Sequence, residues 1–327
     1  MNTGDRRMAG GIVGIESLVF GTPLLLAVAL AVAFAMLATA CSTGSPTRSQ
    51  HGGSTSKAST TRGEPTLVDV GDHDLFLTCK GQGDPTVILE SGLGDSSSQW
   101  TGPASVLDLV SGYTRTCAYD RAGVGKSEAW PKDEEPVSAR DVVDDLHAAL
   151  TAGEIAPPYV LVGHSIGGVF VRMFASAYPD EVAGMVLLDP ATEFQFHGRF
   201  WRWEQKVEQR DAGTLPDGSS TIDLSSTVKD MRAATSIDAP LVVVTAGLSA
   251  DPGWVERAWM DYHDRVTAMS PDSIHAIAEA AGHYIQEDDP NVVIEAVRQV
   301  SLAARSGSQL PACPQMFSAS EVTCISG

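Results

Sequence analysis

A serine hydroxyl becomes a nucleophile when a base stands beside it and its backbone holds it clear of its neighbours. Gly163-His164-Ser165-Ile166-Gly167 follows directly on the apolar run Tyr159-Val160-Leu161-Val162. A strand that turns abruptly into a helix leaves no room for side chains two places before and two after the serine, and glycine stands at both. Val169 to Tyr178 contains neither Gly nor Pro, sets Val169, Met173 and Ala177 on one helical face, and is stopped by Pro179. Strand, serine and helix therefore come in the order that exposes a hydroxyl for attack.

The base must be a residue that titrates near neutrality, and of the eight histidines His283 is the best placed. It follows the strand-like Ser273–Glu279 in the loop Ala280-Ala281-Gly282-His283-Tyr284, where a turn at Gly282 aims it back over the end of a sheet. His147 falls within a helix, His164 inside the serine turn and His51 in a polar stretch, where structural or solvated roles are expected. An acid is needed to fix the tautomer of His283 and to balance its charge. Two carboxylates compete: Asp189, in Leu187-Leu188-Asp189-Pro190-Ala191, and Asp251, after Val244-Thr245-Ala246-Gly247. Asp189 is taken first and Asp251 is the alternative.

The elements that carry these residues alternate. Strands are expected at Thr66–Val70, Leu75–Cys79, Val87–Glu90, Thr114–Tyr119, Tyr159–Val162, Gly184–Leu188, Leu241–Thr245 and Ser273–Glu279. Helices are expected at Ala139–Leu150, Val169–Tyr178, Trp254–Met269 and Val292–Ala304. Such alternation implies an α/β fold with a parallel, helix-covered sheet. Residues 190–238 break the rhythm and carry Phe194, Phe196, Phe200, Trp201 and Trp203, the composition of a small lid over an apolar substrate.

Four segments together resemble an α/β-hydrolase of the bacterial serine-hydrolase group. They are Leu89-Glu90-Ser91-Gly92-Leu93-Gly94-Asp95, Ala118-Tyr119-Asp120-Arg121-Ala122-Gly123-Val124-Gly125-Lys126-Ser127, Val160 to Gly168 around Ser165, and Gly282-His283-Tyr284-Ile285. The resemblance covers Pro65 to Arg305 and implies the α/β-hydrolase fold: a mostly parallel eight-stranded sheet, covered by helices, with a small lid insert. It implies Ser165 as nucleophile and His283 as base. It also implies that the backbone N–H groups of Leu93 and Ile166 form an oxyanion hole, in which one donor is worth about 3 kcal/mol of transition-state stabilisation. The acid usually follows the seventh strand in this family, near Asp251, whereas pancreatic lipases and some dehalogenases carry it on the sixth, where Asp189 stands. The family topology sets the second strand beside the fourth, which implies a Cys79–Cys117 disulfide. A second is expected between Cys313 and Cys324.

Gly123-Val124-Gly125-Lys126-Ser127 has the look of a phosphate-binding loop, but the first glycine of that motif would fall at Asp120. No His/Cys cluster has metal-ligand spacing, so neither metal nor other cofactor is expected. Asp and Glu outnumber Lys and Arg 41 to 22, and a net charge of −19 argues against a nucleic-acid partner. With 327 residues and 43% hydrophobic content, one catalytic domain with appendages is favoured.

The first appendage, residues 1–41, pairs Arg6-Arg7 with the uncharged run Leu18–Ala40 and ends in Leu37-Ala38-Thr39-Ala40-Cys41. It resembles a lipoprotein signal with Cys41 as the lipidated residue, and its apolar run is also long enough for an uncleaved membrane anchor. Residues 42–64, rich in Ser, Thr and Gly, follow as a flexible tether to a catalytic domain at 65–305, and residues 306–327 form a tail with a disulfide loop. Four cysteines besides Cys41 fit a location outside the cytoplasm. The expectation is an exported, membrane-tethered serine hydrolase acting on a partly apolar, small acyl substrate, cleaving an ester through an acyl-enzyme. Amide, peptide or lactone hydrolysis by the same fold is one alternative, and a non-catalytic surface binding protein is another.

Overall fold

The computed structural model describes residues 65–131, 136–208, 214–217, 220–232, 236–249 and 251–325. The expected signal or anchor segment 1–41, with Cys41, and the tether 42–64 lie outside the described residues. Among the described residues no helix is long and apolar enough to cross a membrane.

The strands are β1 (Thr66–Asp69), β2 (Asp74–Lys80), β3 (Thr86–Glu90), β4 (Thr116–Tyr119), β5 (Tyr159–His164), β6 (Val182–Leu188), β7 (Thr214–Asp217), β8 (Ser220–Asp223), β9 (Leu241–Ala246), β10 (Ser273–Ala278) and β11 (Val322–Ile325). Between them lie α1 (Val106–Val110), α2 (Ala139–Ala152), α3 (Gly167–Ala177), α4 (Gly198–Glu208), α5 (Leu224–Met231), α6 (Gly253–Thr267), α7 (Ile285–Asp288), α8 (Pro290–Ser306) and α9 (Cys313–Met316). Nine strands form one sheet in the order β1-β2-β4-β3-β5-β6-β9-β10-β11. From β4 to β10 all neighbours run parallel, while β1, β2 and β11 join antiparallel at the edges. The eight strands expected from the sequence are the first eight of this order, and the tail adds the ninth by pairing Val322–Ile325 with Ala278–His275.

The central strands are buried on both faces, which is why β3 and β5 read as unbroken apolar runs. Their side chains alternate between two cores. Ile88, Leu161, Met185, Leu187 and Val243 point to one core, with Val143 and Leu146 of α2, Phe170 and Phe174 of α3 and Val266 of α6. Val87, Leu89, Val160, Val162, Val186 and Val242 point to the other, with Leu107 of α1 and Val293 and Val297 of α8. Each such side chain contributes about 1.5–3 kcal/mol when fully removed from water. Helix α2 starts with a capping box between Ser138 and Asp141, and α8 ends at Gly307 in the left-handed region.

The residues 190–238 contribute α4, the β7–β8 hairpin and α5 between β6 and β9. Both disulfides expected from the sequence are present: Cys79–Cys117 joins directly opposed residues of β2 and β4, and Cys313–Cys324 ties α9 to β11.

One feature of this topology decides where chemistry is possible. Strand order reverses at β3 and β5, because β3 continues to β4 on one side while the chain after β5 builds the other. A crevice therefore opens beyond the carboxyl ends of these two strands. Leu93 follows β3, Ser165 follows β5, Asp189 follows β6, Asp251 follows β9 and His283 follows β10, so the parallel sheet delivers all five to one edge.

Candidate active site

Ser165 occupies the turn from β5 into α3 with φ +54°, a conformation that side chains rarely adopt. Its N–H donates to the Leu188 carbonyl at 3.0 Å, and its own carbonyl accepts from Gly168 and Ala191 at 2.9 and 2.8 Å. The glycines two places either side are demanded by contact. A Cβ on Gly163 would lie 2.7 Å from the Gly167 carbonyl oxygen, and one on Gly167 would lie 2.7 Å from the Ser91 carbonyl oxygen. Helix α3 starts at once, so the Ile166 backbone N–H belongs to the unsatisfied first turn of a helix.

Asp189 also has positive φ, at +41°, which turns its carboxylate back toward the next strands. Its Oδ2 accepts the Nδ1–H of His283 at 2.7 Å. Oδ1 accepts from the indole N–H of Trp259 on α6 at 2.9 Å and from the Ala246 N–H at 3.1 Å. Burial would raise the pKa of this carboxyl, but the hydrogen bond from His283, the charge of His263 and the Trp259 N–H outweigh it and hold the value near 2. Asp189 is thus a fixed anion at any neutral pH. Asp251 lies exposed at the rim of the same cavity, its backbone N–H bonded to Ser249 Oγ at 3.0 Å. Of the two acids the sequence left open, the structure joins Asp189 to His283.

His164 holds the His283 loop from beneath. The Gln99 amide donates to its Nδ1 at 2.9 Å, which makes Nε2 the protonated nitrogen, and Nε2–H donates to the His283 carbonyl at 2.9 Å. Burial, seconded by repulsion from His283, pushes the His164 pKa down to about 3, so the ring stays neutral.

The loop after β3 is set by Arg121. Its Nη1 donates to Glu90 Oε1 at 2.5 Å and to the Ser91 carbonyl at 2.8 Å, and Nη2 donates to the Gly92 carbonyl at 2.5 Å. Tyr119 donates its hydroxyl to the other Glu90 oxygen. A trans peptide sets its C=O and N–H on opposite sides. With the Gly92 carbonyl taken by Arg121, the Leu93 N–H points the other way, and Leu93 lines the cavity beside Ser165 and Ile166. The glycine-rich loop that follows Arg121 is also explained. Asp120 accepts from the Lys126 N–H at 2.8 Å and the Ser97 N–H at 2.6 Å, so the anion held here is the protein's own side chain. A Cβ on Gly125 would sit 2.2 Å from Asp120 Oδ2.

Behind Asp189 runs a polar chain that sequence reasoning missed, exposed at Asp264 and buried at His275, Thr245 and His263. Asp264 Oδ1 meets His275 Nδ1 at 2.6 Å, His275 Nε2 meets Thr245 Oγ1 at 2.7 Å, Thr245 Oγ1 meets His263 Nδ1 at 2.7 Å, and His263 Nε2 meets the Pro190 carbonyl at 2.9 Å. With Asp264 ionised both ends accept, so each contact needs a hydrogen, while two neutral imidazoles and a hydroxyl supply one each. The chain is therefore one proton short whenever both rings are neutral. Burial favours that neutral state: it pushes His263 down to about 4 and lowers His275. Only the fold could reveal Trp259, Arg121 and this chain as part of the site.

Ser165, Asp189, His283, Leu93 and Ile166 all line one cavity of about 630 Å³, within the range of small-molecule sites. Its far wall comes from α4 and α6. Phe200 stacks on Trp259 at 5.6 Å between ring centres and meets Trp203 edge-on at 6.0 Å. The arrangement can hold a hydroxyl beside an imidazole backed by a buried anion, opposite two backbone donors, with an apolar wall for a substrate.

Comparison with known proteins agrees with the fold. Residues 85–290 match the family model described as alpha/beta hydrolase fold. The chain is 29% identical over 231 residues to the uncharacterized protein YqjL of Bacillus subtilis, covering 69% of this chain and 87% of that one. It is 34% identical over 115 residues to the putative carbamate hydrolase RutD of Escherichia coli, where the match covers 35% of this chain and 41% of RutD. Among solved structures, a thermophilic esterase from Thermogutta terrifontis has the same fold, with a TM-score of 0.53 at 18% identity over 74% of this chain and 99% of the esterase. The chain belongs to the α/β-hydrolase fold family.

Proposed function

We propose that this protein is a serine hydrolase that cleaves an ester or closely related acyl bond through an acyl-enzyme on Ser165. The observation that carries the reading is the 2.7 Å contact between Asp189 and Nδ1 of His283, on a cavity that also exposes the strained Ser165. Because Asp189 takes Nδ1–H, Nε2 is the nitrogen that accepts the Ser165 proton as Oγ attacks the carbonyl carbon. The oxyanion forms against the N–H groups of Leu93 and Ile166. His283 then gives the proton to the leaving alcohol; in the second half it takes a proton from the water that attacks the acyl carbon and returns it to Ser165 Oγ as the acyl–oxygen bond breaks and the acid leaves. Asp189 stays ionised throughout and balances the imidazolium.

The aromatic wall of α4 and α6 supports a partly apolar substrate, and residues 190–238 act in this reading as the lid over it. Carbamate and amide bonds pass through the same tetrahedral intermediate, and the likeness to RutD keeps them as the second reading. The two disulfides support an exported protein, in keeping with a lipidated Cys41 or an N-terminal membrane anchor.

Pre-steady-state hydrolysis of chromogenic acyl esters of graded chain length tests the mechanism. A burst of one alcohol per protein molecule, abolished by Ser165→Ala and by His283→Ala, is expected. Turnover that survives Ser165→Ala overturns it.

A further inference from the structure

Resting on the proposed hydrolase reading, the composition of the cavity defines the charge of what enters it. Besides Asp189, whose charge faces His283, the lining carries the carboxylates of Glu204, Asp251, Glu256 and Glu279. Among the described residues no lysine or arginine lines it.

The carboxylates share the cavity with the rings of Phe200, Trp203 and Trp259, whose faces are the negative side of the aromatic quadrupole. Glu204 lies one residue beyond Trp203 on α4 and is itself buried, whereas Glu256 and Glu279 are exposed at the mouth. A ring next to this group, outside the cavity lining, already holds a cation. Arg199 stands over Trp254 at 4.0 Å, and Trp254 meets Trp203 edge-on at 5.9 Å. Ring faces backed by carboxylates attract an organic ammonium, which costs less to desolvate than a compact ammonium ion, and repel carboxylates and phosphates.

We infer that the cavity of this hydrolase takes acyl substrates bearing an organic cationic group, such as a quaternary ammonium, held against Phe200, Trp203 and Trp259 within the field of Glu204, Glu256 and Glu279. Anionic esters are excluded by the same field. It also expels the carboxylate that hydrolysis releases, because the product gains a negative charge at Ser165 inside an acidic cavity.

The test uses choline and its uncharged isostere 3,3-dimethylbutan-1-ol as probes of the full-length protein. Binding is followed by tryptophan fluorescence and by protection of Ser165 from a fluorophosphonate. Choline is expected to bind about tenfold more tightly than the isostere. The preference shrinks severalfold in Glu256→Gln/Glu279→Gln, which alters only exposed groups, in Glu204→Gln, and in about 0.5 M salt. Equal binding of the two probes overturns the inference. So does a lack of saturable choline binding, or a preference that survives in both the Glu204→Gln and Glu256→Gln/Glu279→Gln variants. If the fluorophosphonate leaves Ser165 unmodified, the hydrolase reading fails, while the fluorescence titration still decides the charge preference.

Discussion

Trp259 donates its indole N–H to Asp189 Oδ1 at 2.9 Å, on the carboxylate whose other oxygen holds His283. A residue of α6 thus fixes the acid from the side opposite the base. The same ring forms part of the cavity wall, so substrate contact and alignment of the acid reside in one side chain. Trp259→Phe keeps the wall and removes the donor. A hydrogen bond to a charged group is worth about 1.5–3 kcal/mol, so kcat is expected to fall about tenfold or more with KM little changed. Steady-state kinetics on one ester checks this, and an unchanged kcat would remove Trp259 from the machinery.

Asp189 and Asp251 separate in a direct comparison. Asp189→Asn leaves His283 with the wrong tautomer and is expected to lower kcat about 10³–10⁴-fold. Asp251→Asn, at an exposed rim position, is expected to stay within about threefold on an uncharged ester. The reverse ranking would assign the acid to Asp251.

Arg121 positions the oxyanion loop through three acceptors divided between the two terminal nitrogens of its planar fork, a geometry that lysine's single nitrogen lacks. Arg121→Lys keeps a positive charge beside buried Glu90 and frees the Gly92 carbonyl. The expected outcome is a fall of about 10–100-fold in kcat with KM nearly unchanged, because the Leu93 N–H loses its aim. A variant impaired only in melting temperature, with normal kcat, would reduce Arg121 to a structural role.

Acid stability follows from the buried histidines. His164 and His263 have folded pKa values of about 3 and about 4, against 6.5 unfolded. Between pH 6.5 and those values the unfolded chain binds more protons than the folded one, so stability falls as pH falls through that window. Asp189 acts lower down: its folded value near 2 lies below the ordinary 3.8, so its contribution is present above 3.8 and lost only as pH approaches 2. Asp145, raised to about 6 by burial, acts in the opposite direction across this window, as does His73, also raised, at its upper end, so the test is a comparison of variants. The melting temperature of His164→Asn should fall less between pH 6.5 and about 4 than that of the native protein, and an equally steep course in both would contradict the neutral, buried state of His164.

The Cys79–Cys117 disulfide closes a loop with a sequence separation of 38, for which the chain-entropy estimate is about 4 kcal/mol. Cys79→Ser/Cys117→Ser is expected to lose stability of that order in denaturant titration, while kcat in the folded state is preserved. Peptide mass mapping without reduction checks both pairings, and free thiols at these positions would exclude them.

Much of the site was legible because some residue types are forced by contact. Gly163 and Gly167 are required by backbone atoms 2.7 Å from where a Cβ would stand, and such a requirement leaves a fixed spacing in the sequence. His283 was legible from its loop after a strand. The acid was not, since Asp189 and Asp251 end up on the same sheet edge, and what separates them, the burial of Asp189 and its bonds to Trp259 and Ala246, is long-range; the positive φ of Asp189 leaves no signature in a non-glycine residue. Trp259 and His263 read as parts of an ordinary amphipathic helix, because a single polar atom on a buried ring does not alter hydrophobic periodicity. β11 escaped for a different reason. Its four residues gain their pairing from the exposed edge of β10 and from the tie of Cys313 to Cys324, both long-range.

Ser165 is the residue that takes the acyl group in the proposed mechanism, and covalent labelling tests that directly. Native protein treated with a fluorophosphonate should gain one adduct, mapped by mass spectrometry to Ser165. The adduct should be absent from Ser165→Ala and slow to form in His283→Ala. An unmodified protein, or an adduct that persists in Ser165→Ala, would contradict the account.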